Sequence, residues 1–514
     1  MSEPRITVDP SRLVVADFDA KEQGILDRLW KQLRDRLERN RERGIRYEMK
    51  NVIAKIANVV PPQYYHAYGA LGWNTKAVDA LVRRCNFENV SWTGDLGSAG
   101  APDLLGEDDT SPPDALDPLG YDDFRDENRL RASIRSASVG SLVHGVGFLI
   151  NDVQMAPGED VSSVSWGSAV DTTGFWDYRG RELEFALSIN EWRNESLPLT
   201  FTLYTPDSYL IVQWDEQSAA YRTVAEWTHP FGMPVEPLVY KPFLRPFGSS
   251  RITPPMMSLQ DRGVAALIRM EAHMDIYAIP DFWILGAAET LFGGNTQAWK
   301  VMMGRLKALP DDDKLIDLGS DAARLARADV KQFPAASPDP HLAAINAIAK
   351  LYAREADLPD SAVAITDVSN PTSADSYIES RESIISEAEG ATDDWSIPIR
   401  RSIARGLAIQ NGDPGLLKDL RDMEVNWRPH AYLSRAANAD AGAKQLAAAP
   451  DWLKQTTVGL QLLGLTPQQI RQAYRERETL PTPPPPPPQI VVQSAPTAPE
   501  PNGAGTSSET ESAE

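Results

Sequence analysis

Cysteine is almost absent from this chain: Cys85 stands alone among 514 residues. One thiol excludes an intrachain disulfide and a cysteine-rich metal site, and points to a reducing compartment. Between Arg84 and Asn86 it reads as a small packing residue, not a nucleophile. Histidine is also scarce. His66, His144, His229, His273, His341 and His430 are scattered singly, with no H-x-x-x-H or comparable ligand spacing. There is no G-x-x-x-x-G-K-[ST] phosphate loop, which excludes an ATP-driven motor, and no G-x-S-x-G nucleophile elbow. Long apolar runs are missing: none approaches the ~20 residues that span a bilayer, so no membrane is expected. The opening MSEPRITVDPSRLVVADFD lacks a basic segment followed by an apolar core, hence no signal peptide is expected, and the chain reads as cytosolic and soluble. Positive charge is short as well, leaving a formal net charge of −21. Proteins that grip nucleic acid neutralise phosphates with clustered cations, so this balance argues against a clamp. It suits a wall that DNA passes, because acidic groups repel phosphate.

What is present is ample apolar content for a core, in a chain long enough for two or three packed regions. The spacing predicts a helix over Lys21 to Arg43, with Leu26, Leu29, Trp30, Leu33 and Leu37 as one stripe. Its Arg-rich end, interleaved with acids, reads as a solvated face. A second helix is expected over Thr75 to Arg84. Asp95 to Glu127 is rich in Gly, Pro, Ser and acids and reads as an exposed loop; it lacks the D-x-D-x-D-G spacing of a calcium site. A helix over Asp126 to Ser138 precedes β-type runs that begin with SLVHGVGFLI, whose GVG lacks the third glycine of a dinucleotide site. Further strands are expected at Glu182 to Ile189, Leu199 to Leu203, Tyr209 to Trp214 and Tyr221 to Trp227, the last two joined by a hairpin turn at DEQSAA.

Thr253 and Pro254 supply an N-cap and a first-turn proline for a helix striped by Met256, Leu259, Gly263, Leu267, Met270, Met274 and Tyr277. Ile279 to Ser337 has no sustained period and reads as a small α+β insert. Asp339 and Pro340 start the next helix by the same logic, with Leu342, Ile345, Ile348, Ala349 and Tyr352 as its stripe. A loop-like stretch follows to Asn370-Pro371; Thr372 and Ser373 can cap the next helix, which runs to about Gln410, near 55 Å if continuous at ~1.5 Å per residue. Pro398 lies inside it and predicts a kink near Asp394. A short strand, MEVNW, precedes an Ala-rich helical region from Ser434 to Arg477, in which Thr466 and Pro467 are the clearest helix cap, opening TPQQIRQAYRERE. The polyproline run and the polar end after Leu480 build no core and predict a disordered tail. Carboxylates are abundant, but abundance nominates no catalytic pair. No enzyme, cofactor or metal is expected.

The order of these features resembles the portal proteins of tailed bacteriophages, in the branch typical of long-tailed phages of actinobacteria. The resembling residues are WNTKAVDALVRR, MPVEPLVYKPF leading into SRITPPMMSLQDRGVAALIRMEAHMDIYAIPDFWILG, LYAREADLPDSAVAITDVSNPTSADSYIESRESIISEAE, VNWRPHAYLSRAANADAGAKQLAAAPDW and LQLLGLTPQQI. They cover roughly residues 40 to 478. No single motif is diagnostic; the ordered series carries the likeness. RYEMK stands where many relatives have an aromatic-rich stretch followed by Gly-Lys, and the acidic loop of residues 95–127 has no counterpart.

The resemblance implies an α+β, mainly helical portal fold with wing, stem, clip and crown regions. On that pattern 1–252 is a wing region, 253–277 and 339–357 are stem helices, 278–338 is the clip, and 358–372 is a channel loop. The kinked wing helix is then 373–411, the crown 412–480 and the Pro-rich tail 481–514. It further implies a homo-oligomeric ring, usually of twelve subunits, at a capsid vertex in the virion, assembled in the host cytoplasm. Double-stranded DNA passes through it. The terminase large subunit, a head-completion or adaptor protein, and capsid and scaffolding proteins are its partners. The loop residues facing DNA would be Asp360, Ser361, Ala362, Val363, Ile365, Thr366 and Asp367. Leu358 to Asn370 holds no Lys or Arg to anchor phosphate. Leu259, Gly263, Leu267, Met270, Met274, Ile345 and Tyr352 would make stem contacts between subunits, and Pro398 would bend the wing helix. The main rival reading is another structural protein of the virion head with no conduit role, and the enzyme rival is a carboxylate-dependent nuclease or hydrolase.

Overall fold

The structure, a computed structural model, describes residues 12–50, 71–91, 119–156, 159–243, 245–277, 281–285, 306–309, 329–333, 337–364, 381–431, 435–454, 457–465 and 469–470. It is a mixed helix and strand fold that divides into two compact units, Met1–Tyr432 and Leu433–Glu514.

In the first unit, α1 (Ala20–Tyr47) opens on a capping box: Asp19 accepts from the backbone N–H of Lys21 and Glu22, and the Glu22 carboxylate accepts from the Asp19 N–H. The leucine and tryptophan stripe expected for this helix is buried in full. After α2 (Trp73–Val82) comes β1 (Phe87–Ser91), then α3 (Tyr121–Glu127) and α4 (Leu130–His144). The run SLVHGVGFLI, expected as a strand throughout, is divided. Ser141 to His144 end α4 with Leu142 and Val143 buried, Gly145 turns the chain at φ 102°, and β2 (Val146–Ala156) begins beyond it. Apolar runs this short do not distinguish a buried helical turn from a strand; the positive φ places the boundary.

Next come β3 (Glu159–Ser168), β4 (Thr172–Asp177), β5 (Glu182–Trp192), β6 (Pro198–Tyr204), β7 (Ser208–Asp215), β8 (Ala220–Thr228) and β9 (Val235–Val239). β4 to β8 form an antiparallel meander in sequence order, whereas β2 is flanked by β3 and β9. Asp215 holds the turn between β7 and β8 by accepting from the Gln217 N–H and the Ser218 hydroxyl. Alternation along the meander buries both faces. Leu187, Phe201, Leu203, Leu210 and Val212 meet Leu26, Leu29, Trp30 and Leu33 of α1. On the other face, Ala186, Tyr204 and Tyr209 meet Val146, Phe148 and Ile150 of β2. α4 crosses β2 so closely that a Cβ on Gly147 would lie 2.0 Å from the Ala137 carbonyl oxygen.

The remaining elements are α5 (Pro254–Tyr277), β10 (Asp281–Leu285), β11 (Leu306–Leu309), β12 (Asp329–Phe333), α6 (Asp339–Glu355), α7 (Glu382–Gln410), α8 (Leu416–Asp419) and β13 (Glu424–Trp427). β10 pairs in parallel with β11 and antiparallel with β12, between the two helices in sequence. β13 returns to pair with β1. α7 is the spine of the largest core: Ile384, Ala388, Ala391, Trp395, Ile399, Ile403 and Leu407 recur at three- and four-residue steps and are buried. Its described part starts at Glu382; the expected caps at Thr372 and Ser373 lie outside the described residues.

In the second unit, the Ala-rich region contains helices at Arg435–Ala448, Asp451–Lys454 and Thr457–Leu462, with Pro450 at the first break. A Cβ on Gly442 would lie 1.9 Å from the Leu462 carbonyl oxygen, so the outer two are in backbone contact. The expected cap at Thr466 and Pro467 and the tail beyond Leu480 lie outside the described residues.

Candidate functional site

α5 and α6 lie side by side, and the site is the junction that seats them on the rest of the first unit. Thr253 starts α5 as its sequence predicts, accepting from the Met257 N–H at 3.0 Å. α6 starts one residue off expectation. Asp339 is its first helical residue, its N–H donating to the Ser337 hydroxyl at 3.1 Å, and Pro340 takes the second position, where a missing N–H is harmless. α6 ends on Asp357 at φ 50°, with the Leu358 N–H returning to the Ala353 carbonyl at 2.9 Å and the Leu358 side chain buried. That is a Schellman end with aspartate where glycine is usual.

α5 faces the body with a different stripe from the expected one. Met256, Gln260, Gly263, Val264, Ile268 and Ala272 are buried; Leu259, Leu267 and Met270 are half-buried and Met274 is exposed. A buried glutamine causes the rotation. Gln260 accepts the Asn74 N–H at 2.8 Å, Asn74 accepts the Tyr352 hydroxyl at 2.9 Å, and the Tyr352 ring lies 5.3 Å from that of Trp73. Burial pushes the Tyr352 hydroxyl far above the ordinary tyrosine range, so it stays a donor. Gly263 meets the same tryptophan: a Cβ there would lie 2.6 Å from the Trp73 ring. Gly263, Ile345 and Tyr352, expected at contacts between subunits, are thus buried within their own chain. Arg46 of α1 adds an ion pair to Asp261 at 2.9 Å, and the His273 and His341 rings meet across the pair, tilted by 51° with centroids 4.9 Å apart.

Arg251, two residues before Thr253, closes the junction. Its guanidinium donates to the Ala77 carbonyl of α2 at 2.9 Å, to the Ala356 carbonyl just past α6 at 2.8 Å, and to Glu387 of α7. Glu387 also accepts from the Tyr240 hydroxyl and from Lys241 at 2.7 Å. Lys241 sits at φ 50°, a turn that lets consecutive side chains reach one carboxylate. Burial acts to raise Glu387, but Arg251, Lys241 and Tyr240 prevail and hold it below the ordinary glutamate range. Glu236 is the contrast. It accepts from Arg405 of α7 at 2.7 Å, and burial nonetheless raises it.

The expected loop residues divide. Asp360 and Ser361 are exposed in a single 3-10 turn, Ala362 and Val363 are half-buried against the core, and Ile365, Thr366 and Asp367 lie outside the described residues. Pro398 lies inside α7, where it removes the hydrogen bond to the Asp394 carbonyl. One turn earlier, the Thr392 and Ser396 hydroxyls bond back to the Ala388 and Thr392 carbonyls at 3.0 and 2.6 Å, a pattern that bends helices. Cys85 is buried against the Ala388 carbonyl, and burial pushes its thiol up to about 12, which leaves it protonated. Among the described residues, no group of three or more His, Cys, Asp or Glu is placed to hold a metal ion, and no helix is long and apolar enough to cross a membrane.

Asn74, Gln260, Arg251 and Glu387 escape a reading based on apolar spacing because they are buried polar residues whose partners are far away in sequence. The signal available was indirect: all four fall inside the segments that carry the resemblance, Asn74 in WNTKAVDALVRR, Arg251 and Gln260 in the segment opening SRITPPMMSLQ, and Glu387 in the one closing ESIISEAE.

No family model matches the chain. It is 26% identical over 258 residues to the portal protein of Mycobacterium phage L5, covering 47% of this chain and 48% of the relative. The portal protein of Mycobacterium phage D29 is 25% identical over 255 residues, with the same shares covered. The chain therefore spans about half the length of the curated relatives it matches. Chains in solved structures of a native gene transfer agent virion and of a native gene transfer agent neck computed with C12 symmetry are remote neighbours, with TM-scores of 0.37 and 0.35 and 13% identity. Each covers 76% of this chain and 89% of the neighbour. By sequence, this chain is similar to the portal proteins of actinobacteriophages.

Proposed function

We propose that the chain is a subunit of a ring, of twelve copies on the portal pattern, through which double-stranded DNA enters and leaves a bacteriophage capsid. The observation that carries this reading is the likeness to two mycobacteriophage portal proteins. The paired helices α5 and α6 support it: they enclose a small sheet in sequence and are seated on the body by Arg251. On this reading the pair is the stem and the enclosed segment is the clip, which meets the terminase large subunit and then a head-completion protein. The rest of the first unit up to residue 411 is the wing beside capsid and scaffolding proteins, and residues 412–480 are the crown.

The half-exposed side chains of α5, Leu259, Leu267, Met270 and Met274, would then meet a second copy of this chain. Flexible apolar groups left over after a helix has seated itself suit such a contact. The stretch from Leu358 to Asn370, with Asp360 and Asp367 and no cation, would face DNA without binding it. Electron microscopy of the purified full chain tests the reading. Rings with a central hole are the expected image; monomers or filaments would favour a head structural protein without a conduit.

A further inference from the structure

The Arg-rich end of α1 is not evenly solvated. Arg36, Arg39 and Arg43 recur at three- and four-residue steps and share a side of the helix. Arg36 and Arg39 border a recess between α1, the end of α4 and the β2 and β4 strands, lined also by Gln32, Asn40, His144 and Thr173, and Arg43 stands beside it at the His144 carbonyl. Arg245, in the segment joining β9 to α5, lies near enough to act electrostatically on all three. Among the described residues, none of these four guanidiniums makes an ion pair with an acid. Arg36 sits 5.1 Å over the Phe247 ring and Arg39 reaches Asn40 at 3.4 Å. Arg43 donates to the His144 carbonyl at 3.4 Å while its Nε, like the buried His144 Nδ1, has no partner.

In a chain with net charge −21, four cations gathered with no contact ion pair among the described residues are an anomaly. Burial, with repulsion from Arg39 and partly offset by Glu42, lowers Arg43 to about 10. Burial, with Arg43 and Arg39, lowers His144 to about 4. An anion in the recess would reverse both the repulsion and the missing hydrogen bonds. Guanidinium forks fit the oxygens of a tetrahedral oxyanion in pairs, and a neutral imidazole still offers one N–H.

We propose that this recess is an oxyanion site that takes a phosphoryl group, supplied either as free phosphate or by a nucleic-acid backbone.

The test uses the full chain at constant ionic strength, with inorganic phosphate replacing chloride. Phosphate should raise the thermal midpoint saturably in the wild type. Arg39→Gln combined with Arg43→Gln should weaken apparent binding by about tenfold or more, as expected for lost charge-assisted hydrogen bonds. Arg245→Gln, at an exposed position, should weaken it with the fold intact. A short DNA duplex forms the second arm. If it binds, loses affinity in the same variants and is displaced by phosphate, the source is the backbone. If neither phosphate nor duplex distinguishes the wild type from Arg245→Gln and from the double variant, there is no site. Should the double variant fail to fold, phosphorus-31 line broadening with the wild type and Arg245→Gln decides: equal broadening in both overturns the proposal.

Discussion

Single buried polar side chains do most to define this molecule, and their energetics are testable one at a time. Arg251 and Glu387 leave only 4% and 9% of their side chains exposed. Removing one partner of such a pair strands the other charge, which costs about 3–5 kcal/mol. Glu387→Ala should therefore lower the unfolding free energy by that order in denaturant titration. Arg251→Met should cost less, because Glu387 keeps Lys241 and Tyr240. Equal losses would mean that the three donors do not share the carboxylate. His144 offers a pH test. Its unfolded value is the ordinary 6.5 and its folded value about 4, so between these the unfolded chain binds more protons. Its contribution is constant above about pH 6.5 and is lost progressively as pH falls toward 4. The stability difference between wild type and His144→Gln should shrink over that window, and exchange at the imidazole C2 position, read by mass spectrometry, should give the same depressed titration. A midpoint near 6.5 would contradict the burial that sets it.

At the scale of elements, α1, the last four strands of the meander and α7 were legible because apolar side chains at regular steps were the ones buried. α5 was legible as a helix and misread as a face. Its apolar residues point to a stripe through Leu259 and Met270, but the buried side runs through Gln260 and Gly263, a polar residue and one without a side chain. Periodicity cannot see either, since the partners, Asn74 and Trp73, lie far back in the chain. β1 was missed for a related reason, its partner β13 coming more than 300 residues later; β3 and β4 pair with sequence neighbours and were missed because their Ser-, Thr- and Gly-containing runs carry little apolar signal. The seating of α5 yields a sharp prediction. Gly263→Val should drive a side chain into the Trp73 ring and destabilise the chain by about 1–3 kcal/mol. Combining it with Trp73→Ala should recover part of the loss in a double-mutant cycle. Strict additivity would show that the two do not touch.

For the whole molecule, composition excluded more than it identified: one cysteine, dispersed histidines and an excess of acid left no obvious chemistry. The candidate site was only half legible, because its helices announce themselves and the residues that bind them together do not. If the chain forms a DNA conduit, charge reversal in the loop is the global test. Asp360→Lys with Asp367→Lys should leave ring formation intact and slow DNA passage in a packaging assay. Unchanged packaging would remove that loop from the channel.

Arg251 then has a mechanical consequence. Its hydrogen bonds end on three helices at once, so a push along the α5 and α6 pair cannot move one of them without shearing a charged contact to α7. Because that contact is buried, ionic strength would screen it little. A tilt of the pair would reach the sheets as a stiff rotation about one guanidinium, not as a gradual bend.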